Sequence, residues 1–513
     1  MGSRETAVYA APGALQDALA RRAATRPDQP FIVEAETGRT LTYGQCRAAV
    51  GALRRELGAA PRQIALALPG GIVNGVVWLA ALTGGHLLVP LAPDAADAEK
   101  ARVTRRAAPD VLVVERADDA GGFARPRATV LTRAAVEALI ARAAADGAGD
   151  ALPPAVEGRL LLTTSGSTGE PKGVLLTERQ VAWTADAIRA GHGLTPADRG
   201  LTVLPFFHIN APVVSLCASL LAGSTVVIAA RFSRTRFWSW VADYRVTWAS
   251  IVPTILAMLL ETERPGFLPG DLRFVRTASA RLPVAHLEAF EDRFGVPVVE
   301  TYGLSEAASQ IVANPVPPGR RKPGAAGLPA GVALRVCRPR TPDGPPELVD
   351  VAPGDIGEVC VRGPNLIAAY QGGVGRESFQ DGWFRTGDLG RRDGDGYLFL
   401  TGRLREMIKR GGETIAPREV EEVLLAHPDV REVAVVGRPD ALYGEVVVAL
   451  AILRDDCWPA AALEDLRRFA ADRLRPALVP VEFIPVREFP KTATNKLDRR
   501  ALTEAARYVG SSR

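Results

Sequence analysis

The stretch Leu160–Thr177, LLLTTSGSTGEPKGVLLT, provides the first indication of both fold and chemistry. It begins as a leucine-rich run, which is typical of a buried strand. It then changes to small hydroxyl and glycine residues and closes with Pro171, Lys172 and Gly173 before a second apolar run. Glycines permit a tight turn whose N–H groups form an anion nest, and hydroxyls and a lysine add further donors. The stretch therefore predicts a loop that binds a polyphosphate.

Two other interpretations of this loop compete with a polyphosphate site. A flexible surface turn also favours glycine and serine, so composition alone does not separate the two. The P-loop pattern requires serine or threonine after the lysine, whereas Lys172 is followed by Gly173. The loop is therefore not a P-loop, and a different class of nucleotide chemistry is expected.

Length and composition indicate an intracellular protein of several domains. The chain has 513 residues and a net charge of +4, too small a charge for a surface dedicated to nucleic acid. Five scattered cysteines without a Cys-x-x-Cys pair predict a reduced compartment and no zinc site, and five histidines argue against a histidine-rich metal site. The first residues lack an apolar secretory segment, which predicts a cytoplasmic location.

Strands and helices alternate along most of the chain. Ile64–Leu68, Val73–Leu82 and Leu87–Leu91 read as strand, helix and strand, which predicts an α/β fold with doubly wound, mostly parallel sheets. The uncharged runs Gln63–Pro93 and Pro212–Ala230 are interrupted by glycines, so both predict buried core and no membrane span.

Composition changes twice in the second half of the chain. Prolines and glycines are dense between residues 314 and 353, where short strands predict a smaller β-rich subdomain. After Gly402 the pattern becomes that of a compact α+β unit. The predicted organisation is an N-terminal domain at 1–402, a hinge at 403–406 and a C-terminal α+β domain at 407–513.

Four further residues carry candidate chemistry, each with a structural alternative. Asp388, in what reads as a tight turn within FRTGDLG, offers a carboxylate to ribose hydroxyls, or stabilises its own turn. Tyr302 offers an aromatic face to a purine, while Glu306 offers a carboxylate to Mg²⁺ or is a charge at a helix N-terminus. Lys496 lies in a polar segment and is catalytic or simply solvated.

Together and in this order, the motifs resemble those of the acyl-adenylate-forming superfamily: acyl- and aryl-CoA ligases, non-ribosomal adenylation domains and luciferases. The resemblance covers essentially the whole chain through TSGSTGEPKG, YGLSE, RTGDLG, GRLREMIKRGGETIAP and PKTATNK. It implies a large N-terminal domain, a small mobile C-terminal domain, and the use of ATP, Mg²⁺ and CoA. The implied reaction joins a carboxylate to AMP with release of pyrophosphate, after which a thiol displaces AMP.

The resemblance also implies the nucleotide and catalytic residues. The implied ATP and AMP contacts are Thr164, Ser165, Gly166, Ser167, Thr168 and Gly169 for pyrophosphate, Ala280, Thr301, Tyr302 and Ser305 for adenine and α-phosphate, and Asp388 and Arg403 for ribose. Lys172, His208, Glu306 and Lys496 form the implied catalytic set, with Glu306 as the metal ligand. Lys496 would bridge the acid carboxylate and the α-phosphate.

Residues of the C-terminal part acquire roles by the same resemblance. The hinge residue is Arg405, where lysine or aspartate is commoner in the superfamily. Lys409, Gly411 and Gly412 would bind CoA after a domain rotation, with Gly412 leaving room for the pantetheine arm because it has no side chain.

The predicted acid pocket contains His208, Asn210, Ser279 and Ser309. The closest subfamily resemblance is to oxalate–CoA ligases, but Asn210 and Ser309 stand where that group is expected to carry histidines. Losing polar partners for a second carboxylate disfavours oxalate, since a buried dianion would be unpaired. The pocket therefore predicts a bulkier, less charged acid, as in secondary metabolism.

Two other functions stay open. A stand-alone adenylation enzyme that loads a carrier protein would use the same residues, with a phosphopantetheinylated partner in place of free CoA. A non-catalytic nucleotide-binding scaffold is disfavoured because Glu306 and Lys496 are both present. The expected partners are a small carboxylic acid and CoA, without nucleic acid or a membrane span, and an oligomer is compatible with the sequence.

Overall fold

A computed structural model describes residues 12–123, 125, 127–146, 152–164, 172–263, 265–266, 270–340, 348–454, 460–490 and 497–510. Its α-helices are α1 Ala14–Thr25, α2 Tyr43–Leu57, α3 Ile72–Thr83, α4 Asp97–Ala107, α5 Arg133–Ala145, α6 Glu178–Gly191, α7 Ala218–Ala222, α8 Phe237–Asp243, α9 Pro253–Leu260, α10 Val284–Phe294, α11 Pro417–Leu425, α12 Ala460–Ala471 and α13 Arg499–Gly510.

The strands are short and numerous. They are β1 Pro30–Glu34, β2 Thr40–Thr42, β3 Gln63–Ala67, β4 Leu87–Pro90, β5 Val111–Val114, β6 Thr129–Thr132, β7 Arg159–Thr164, β8 Lys172–Thr177, β9 Arg199–Thr202, β10 Thr225–Ile228, β11 Trp248–Ile251, β12 Phe274–Thr277, β13 Val298–Leu304, β14 Ser309–Ala313, β15 Leu328–Pro329, β16 Ala333–Cys337, β17 Gly357–Arg362, β18 Phe379–Gln380, β19 Trp383–Arg392, β20 Leu398–Arg403, β21 Ile408–Arg410, β22 Glu413–Ile415, β23 Val430–Asp440, β24 Gly444–Leu453 and β25 Glu482–Pro485.

Helix starts follow from local side-chain chemistry. The Thr42 and Thr177 side chains each accept a hydrogen bond from the backbone N–H three residues later, and the side-chain oxygens of Gln45 and Gln180 each accept one from the N–H of the cap residue. These reciprocal bonds satisfy two N–H groups that the first turn of a helix leaves without partners. The two sequence signatures therefore fix where α2 and α6 begin.

Two large sheets carry the predicted nucleotide and acid residues. The nine-stranded sheet has the order β15-β14-β13-β12-β11-β9-β10-β1-β2, and the six-stranded sheet the order β6-β5-β3-β4-β7-β8. The strands from β13 to β1 in the first sheet and from β6 to β7 in the second pair in parallel. The antiparallel pairs are β1 with β2, β13 with β14, β14 with β15, and β7 with β8, at the ends of the two sheets. The prediction of doubly wound α/β sheets is therefore confirmed. Since parallel strands end at a common edge, residues that follow β9, β12 and β13 are collected there, where ligands bind in such sheets.

The two uncharged runs are buried core, as predicted. In the first run, α3 follows β3 and precedes β4 along the chain, and every residue of α3 is buried. In the second, a π-helical turn at Pro212–Cys217 continues into α7 and is followed by β10. Within the described ranges, no helix is both long and apolar enough to cross a bilayer.

The chain divides into two compact units. The first comprises Met1–Leu282, His286–Ala333 and Val361–Phe384, and the second comprises Pro283–Ala285, Leu334–Cys360 and Arg385–Arg513. β16, β17, β19 and β20 belong to a small five-stranded sheet, the predicted β-rich subdomain. The predicted hinge at 403–406 stays a prediction.

A second five-stranded sheet lies within the C-terminal residues, in the order β22-β21-β24-β23 with β25 beside β24. Along β23, Val435 belongs to one hydrophobic core, which includes α11 and α12, while Ala434 and Val436 belong to another, which includes α13. Successive side chains of a strand point to opposite faces, so helices cover both faces of this sheet. The predicted α+β organisation follows from this alternation.

Candidate active site

A row of three side chains in the first unit joins two predicted catalytic residues. The ammonium of Lys172 lies over the ring of Tyr370, 4.8 Å from its centroid. The hydroxyl of Tyr370 donates a hydrogen bond to Oε1 of Glu306 over 2.7 Å. Burial and the negative charge of Glu306 raise the pKa of Tyr370, so this hydroxyl stays protonated and keeps donating. The sequence analysis did not identify Tyr370.

Glu306 lies in a short 3₁₀ turn after β13 that a later segment holds in place. The N–H of Ile367 donates to the carbonyl of Glu306 over 2.9 Å, and the Asn365 side chain donates to the carbonyl of Ala307 over 2.9 Å. Gln180, in α6, donates to the Leu366 carbonyl over 2.6 Å. The backbone beneath the carboxylate is therefore fixed from two sides.

The glycine of the YGLSE motif has a steric cause. A β-carbon at Gly303 would lie 1.5 Å from the carbonyl oxygen of Ser309 on the adjacent strand. The backbone at Ala308 and Ser309 adopts positive φ angles of 52° and 113°, which L-residues rarely adopt. The turn that presents Glu306 is therefore compressed against β13, and only glycine fits at position 303.

Residues predicted for pyrophosphate lie mostly outside the described residues. Ser165, Gly166, Ser167, Thr168 and Gly169 are among these, and of Thr164 only the backbone is described. The Cα atoms of Thr164 and Lys172 are partners across the antiparallel pair β7 and β8. The two ends of the predicted loop thus adjoin each other, as a loop closed by a strand pair requires.

The other predicted residues of the adenine and α-phosphate site cluster at the ends of β12 and β13. Thr301 and Tyr302 lie in β13, Ser305 follows it, and Ala280 is exposed just after β12. The Thr301 hydroxyl donates to the carbonyl of Thr277 over 3.0 Å, which ties the two strands together. Tyr302 is half-buried at the same edge.

Two predicted residues of the acid pocket contact each other. The side-chain nitrogen of Asn210 lies 3.2 Å from the hydroxyl of Ser279, which follows β12. His208 is half-buried, with its ring 4.3 Å from that of Phe207. Ser309 is buried in β14, directly before Gln310. Roles for these four residues in binding the acid stay predictions.

Arg276 is a buried residue that the sequence analysis missed. Its side chain is only 1% exposed, although it lies in β12. Nη1 donates to Oδ1 of Asn210 over 3.0 Å, and Nη2 donates to Oε1 of Gln310 over 3.2 Å. Burial lowers the pKa of Arg276 to about 9. The signal for it was present, since an arginine interrupts the otherwise apolar start of FVRTASA.

The second unit carries the predicted ribose residues. Nε of Arg403 lies 2.9 Å from Oδ1 of Asp388, and the two residues are partners across β19 and β20. Asp388 lies within a strand, so its predicted placement in a tight turn was wrong. The strand is locally irregular here, because Gly387 has a positive φ of 72° and the Asp388 N–H donates to the Thr386 hydroxyl. The glycine that this irregularity requires gives the sequence the appearance of a turn.

A buried ion pair supports the same strand. Nη2 of Arg385 lies 2.6 Å from Oε2 of Glu358, and both side chains are almost fully buried. The other carboxylate oxygen of Glu358 accepts a hydrogen bond from the Gly387 N–H over 3.2 Å. Arg385 and Glu358 therefore position the backbone that carries Asp388.

The predicted hinge and CoA residues also lie in the second unit. Arg405 is in a 3₁₀ turn, and the adjacent Glu406 pairs with Arg499 over 3.2 Å. Gly411 and Gly412 have positive φ angles of 55° and 87°. Crowding does not explain the second glycine, because a β-carbon at Gly412 would meet no atom within 4 Å. Backbone conformation therefore accounts for glycine at position 412 within the chain itself.

Two lysines, Lys409 and Lys496, are the last of the predicted site residues. The ammonium of Lys409 donates to the hydroxyl of Thr414 over 2.8 Å, so its side chain is held along the strand pair β21 and β22. Lys496 lies outside the described residues. Its catalytic role stays a prediction.

Glu306 fits a magnesium ion better than a transition metal. Within the described residues, no group of three or more histidine, cysteine, aspartate or glutamate side chains is arranged to hold a metal. Mg²⁺ commonly takes one or two protein carboxylates and completes its shell with water and substrate phosphates. The carboxylate of Glu306, in the same row as Lys172, which is predicted to bind phosphate, matches that requirement.

Known proteins share both the sequence pattern and the geometry. Residues 19–371 match the AMP-binding enzyme family, and residues 419–496 match the AMP-binding enzyme C-terminal domain. This chain belongs to the AMP-binding enzyme family. The resemblance inferred from the motifs is confirmed, as is the assignment to AMP-forming acid–CoA ligases.

Curated members of the family include several CoA ligases. The chain is 37% identical to the sulfoacetate–CoA ligase of Cupriavidus necator, over 95% of this chain and 97% of that protein. It is 39% identical to the oxalate–CoA ligase of Arabidopsis thaliana, over 68% of this chain and 67% of that protein. These names describe different acids, so the family match leaves the acid of this chain unassigned.

Solved structures of the family have the same fold. ATP-bound MatB from Rhodopseudomonas palustris superposes with a TM-score of 0.85 at 26% identity, over 96% of this chain and 99% of that chain. O-succinylbenzoate–CoA synthetase from Bacillus subtilis, in complex with ATP and a magnesium ion, gives 0.80 at 29% identity, over 94% and 98%. The predicted fold class is confirmed, together with the use of ATP, Mg²⁺ and CoA in this family.

Proposed function

We propose that Lys172, Tyr370 and Glu306 form the phosphate and metal side of the adenylation centre in this AMP-forming ligase. The observation that supports this most directly is the row itself, in which the ring of Tyr370 contacts the ammonium of Lys172 and its hydroxyl donates a hydrogen bond to the carboxylate of Glu306. The cation would neutralise the leaving pyrophosphate, and the carboxylate would hold Mg²⁺. Electrostatic stabilisation of this kind is the main contribution expected in phosphoryl chemistry.

The reaction then follows in two balanced steps. A carboxylate oxygen attacks the α-phosphorus of ATP, a P–O bond forms, and the bond to the β-phosphate breaks with release of pyrophosphate. No general base is required, because the acid is already ionised near neutral pH. In the second step the thiol gives up its proton to solvent, its sulfur attacks the acyl carbon to form a C–S bond, and AMP leaves as the C–O bond breaks. Mg²⁺, when bound at Glu306, supplies charge neutralisation at the phosphates.

The acid is proposed to be larger than oxalate. Asn210 and Ser309 have smaller side chains than the histidines expected at these positions, so they leave more volume. The similarity to sulfoacetate–CoA ligase over almost the whole chain supports an acid whose substituent is larger than the second carboxylate of oxalate. Sulfoacetate is one member of that class and enters the test below.

Free CoA is the proposed thiol, and the cytosol the proposed location. Relatives named as CoA ligases support the first, and four buried free cysteines among the described residues support the second. A carrier protein as thiol acceptor stays the alternative.

A panel of carboxylic acids tests the function. Pyrophosphate release is measured for each acid with and without CoA, and mass spectrometry identifies acyl-CoA or acyl-AMP as the product. The panel contains oxalate, sulfoacetate, indoleacetate and o-succinylbenzoate, with aliphatic diacids of increasing length. We expect CoA-dependent thioester formation with at least one acid larger than oxalate. Rapid turnover of oxalate itself would contradict the size argument, and acyl-AMP accumulation in the presence of CoA would favour a carrier protein.

A further inference from the structure

Among the described residues, the hydrogen-bond partners of the buried cation Arg276 are all neutral. Its guanidinium donates to Asn210, Ser250 and Gln310, whose acceptor atoms are an amide oxygen, a hydroxyl and another amide oxygen. Its Nε is buried and has no hydrogen-bond partner among the described residues. Within those residues, no carboxylate lies within 4 Å of this side chain, whereas the buried Arg385 is paired with Glu358.

Burying such a cation reduces the stability of the folded state unless a negative charge compensates it. Buried charges in folded proteins are normally paired, because desolvation of an unpaired ion is unfavourable. Among the described residues, His192 is a titratable neighbour of Arg276. It offers no compensation, because burial, assisted by the charge of Arg276, lowers the pKa of His192 to about 3 and leaves it neutral. The charge is therefore available to an anion that comes from outside the chain.

Asn210 connects this charge to the predicted acid pocket. Because Nη1 of Arg276 donates to Oδ1 of Asn210, the amide must present its NH₂ group on the other side. One hydrogen of that group donates to the hydroxyl of Ser279 over 3.2 Å, and Ser279 is exposed at the end of β12. The second amide hydrogen and the hydroxyl proton of Ser279 are the donors left for a ligand. The pocket thus presents hydrogen-bond donors that are supported by a positive charge behind them.

We propose that the activated acid carries a second anionic group besides its reacting carboxylate, and that Asn210 binds this group while Arg276 orients Asn210 and compensates the charge. The inference rests on the proposed function of the same site. It replaces the expectation of a less charged acid, which considered Asn210 and Ser309 without the arginine behind them. Asn210 is the residue that contacts the acid, and Arg276 is a positioning residue.

Removing Arg276 directly would leave three buried partners unsatisfied, so a milder change is more informative. Asn210→Asp is almost isosteric and supplies the missing carboxylate from within the chain, next to the guanidinium. It also removes the NH₂ donors and places a negative charge at the pocket. Ser250→Ala is the matched control, because it removes one neutral partner of Arg276 and leaves Asn210 unchanged.

The substrates are pairs of acids with the same shape and one charge of difference: sulfoacetate with methylsulfonylacetate, and aliphatic diacids with their monoamides. Pyrophosphate release gives kcat/KM for each acid. We expect the wild type to prefer the charged member by about tenfold to a hundredfold, the range for a charge-assisted hydrogen bond. Asn210→Asp should abolish or invert this preference through KM, whereas Ser250→Ala should retain it.

Thermal unfolding provides a second measurement that requires no substrate. Asn210→Asp should raise the unfolding midpoint, because Arg276 gains a counter-ion, and Ser250→Ala should lower it. The proposal is overturned if the wild type prefers the uncharged members, if Asn210→Asp retains the preference, or if Asn210→Asp unfolds below Ser250→Ala. A protein that releases no pyrophosphate with any acid would instead contradict the proposed function, and the unfolding comparison would still test the unpaired charge.

Discussion

The hydroxyl of Tyr370 lies 2.7 Å from Oε1 of Glu306, 64 residues earlier in the chain. A carboxylate that accepts one fixed hydrogen bond keeps its second oxygen in a defined direction, as hydrogen bonds to metal-binding carboxylates commonly do. Since the ring also lies beneath Lys172, one side chain orients two of the predicted catalytic residues.

Tyr370→Phe separates these two effects, because the ring beneath Lys172 remains and only the hydroxyl is lost. We expect kcat/KM for adenylation to fall about tenfold and the Mg²⁺ concentration for half-maximal rate to rise, as found when partners of a metal ligand are removed. Pyrophosphate release over a Mg²⁺ titration measures both quantities.

Tyr244→Phe is the matched control for this change. The Tyr244 hydroxyl donates to the Ala35 carbonyl over 3.0 Å in the same unit, away from the predicted catalytic residues in sequence and contacts. Each variant should lose about 1 kcal/mol of unfolding free energy. Identical Mg²⁺ titrations for both variants would mean that Tyr370 does not position a metal ligand.

Gly303→Ala should be strongly destabilising. The added β-carbon would lie 1.5 Å from a backbone oxygen of Ser309, so β13 and β14 must separate at the turn that carries Glu306. We expect the unfolding free energy to fall by about 3 kcal/mol or more, with loss of adenylation in the fraction that folds. Urea denaturation and pyrophosphate release measure the two effects.

Gly191→Ala tests whether the effect is specific to position 303. Gly191 ends α6, and a β-carbon there would meet no atom within 4 Å. This variant should be neutral or stabilising by about 0.4–1 kcal/mol, because alanine restricts the unfolded chain. A Gly303→Ala protein as stable as Gly191→Ala would show that the turn relaxes without cost.

Features that depend on neighbouring residues were well predicted from sequence. The predicted strand, helix and strand at Ile64–Leu68, Val73–Leu82 and Leu87–Leu91 agree with β3, α3 and β4 to within one residue at each end, because each is an apolar run between breaking residues. The start of α2 depends on a local signal of the same kind, since the cap Thr42 and its partner Gln45 are three residues apart.

Features that depend on residues far along the chain were missed. Tyr370 becomes informative only once the fold brings it to Glu306, and Arg276 only once Asn210 and Gln310 enclose it. Asp388 was expected in a turn because glycine and aspartate favour turns, but pairing with β20 keeps it in a strand. Local propensity was overridden by tertiary contacts in each case.

The buried imidazole of His192 should lower the unfolding free energy of the protein in acid. Its imidazole is fully buried beside Trp248 and Phe274, and burial is the main cause that lowers its pKa to about 3. The unfolded chain has an ordinary histidine pKa of about 6.5 and therefore binds a proton at a higher pH than the folded state. The unfolding free energy should fall as pH decreases below about 6.5, by up to about 1.4 kcal/mol per pH unit from this residue.

The comparison with His192→Leu isolates this contribution. Urea denaturation of both proteins at pH 7, 6 and 5 gives the dependence of unfolding free energy on pH. We expect a shallower dependence in the variant, although leucine leaves it less stable at pH 7 through poorer packing. Parallel pH dependences would mean that His192 has the same pKa in the folded and unfolded states.

Lys496→Ala tests the catalytic residue that resemblance alone supplied. A lysine that bridges the acid and the α-phosphate acts only while the adenylate forms. Adenylation should therefore fall by about a hundredfold or more, as when one stabilising donor is lost, whereas thioester formation from supplied acyl-AMP should change little. Lys491→Ala, in the same PKTATNK motif, is the matched control and should leave both half-reactions close to wild type. Equal losses in both half-reactions of Lys496→Ala would contradict a role confined to adenylation.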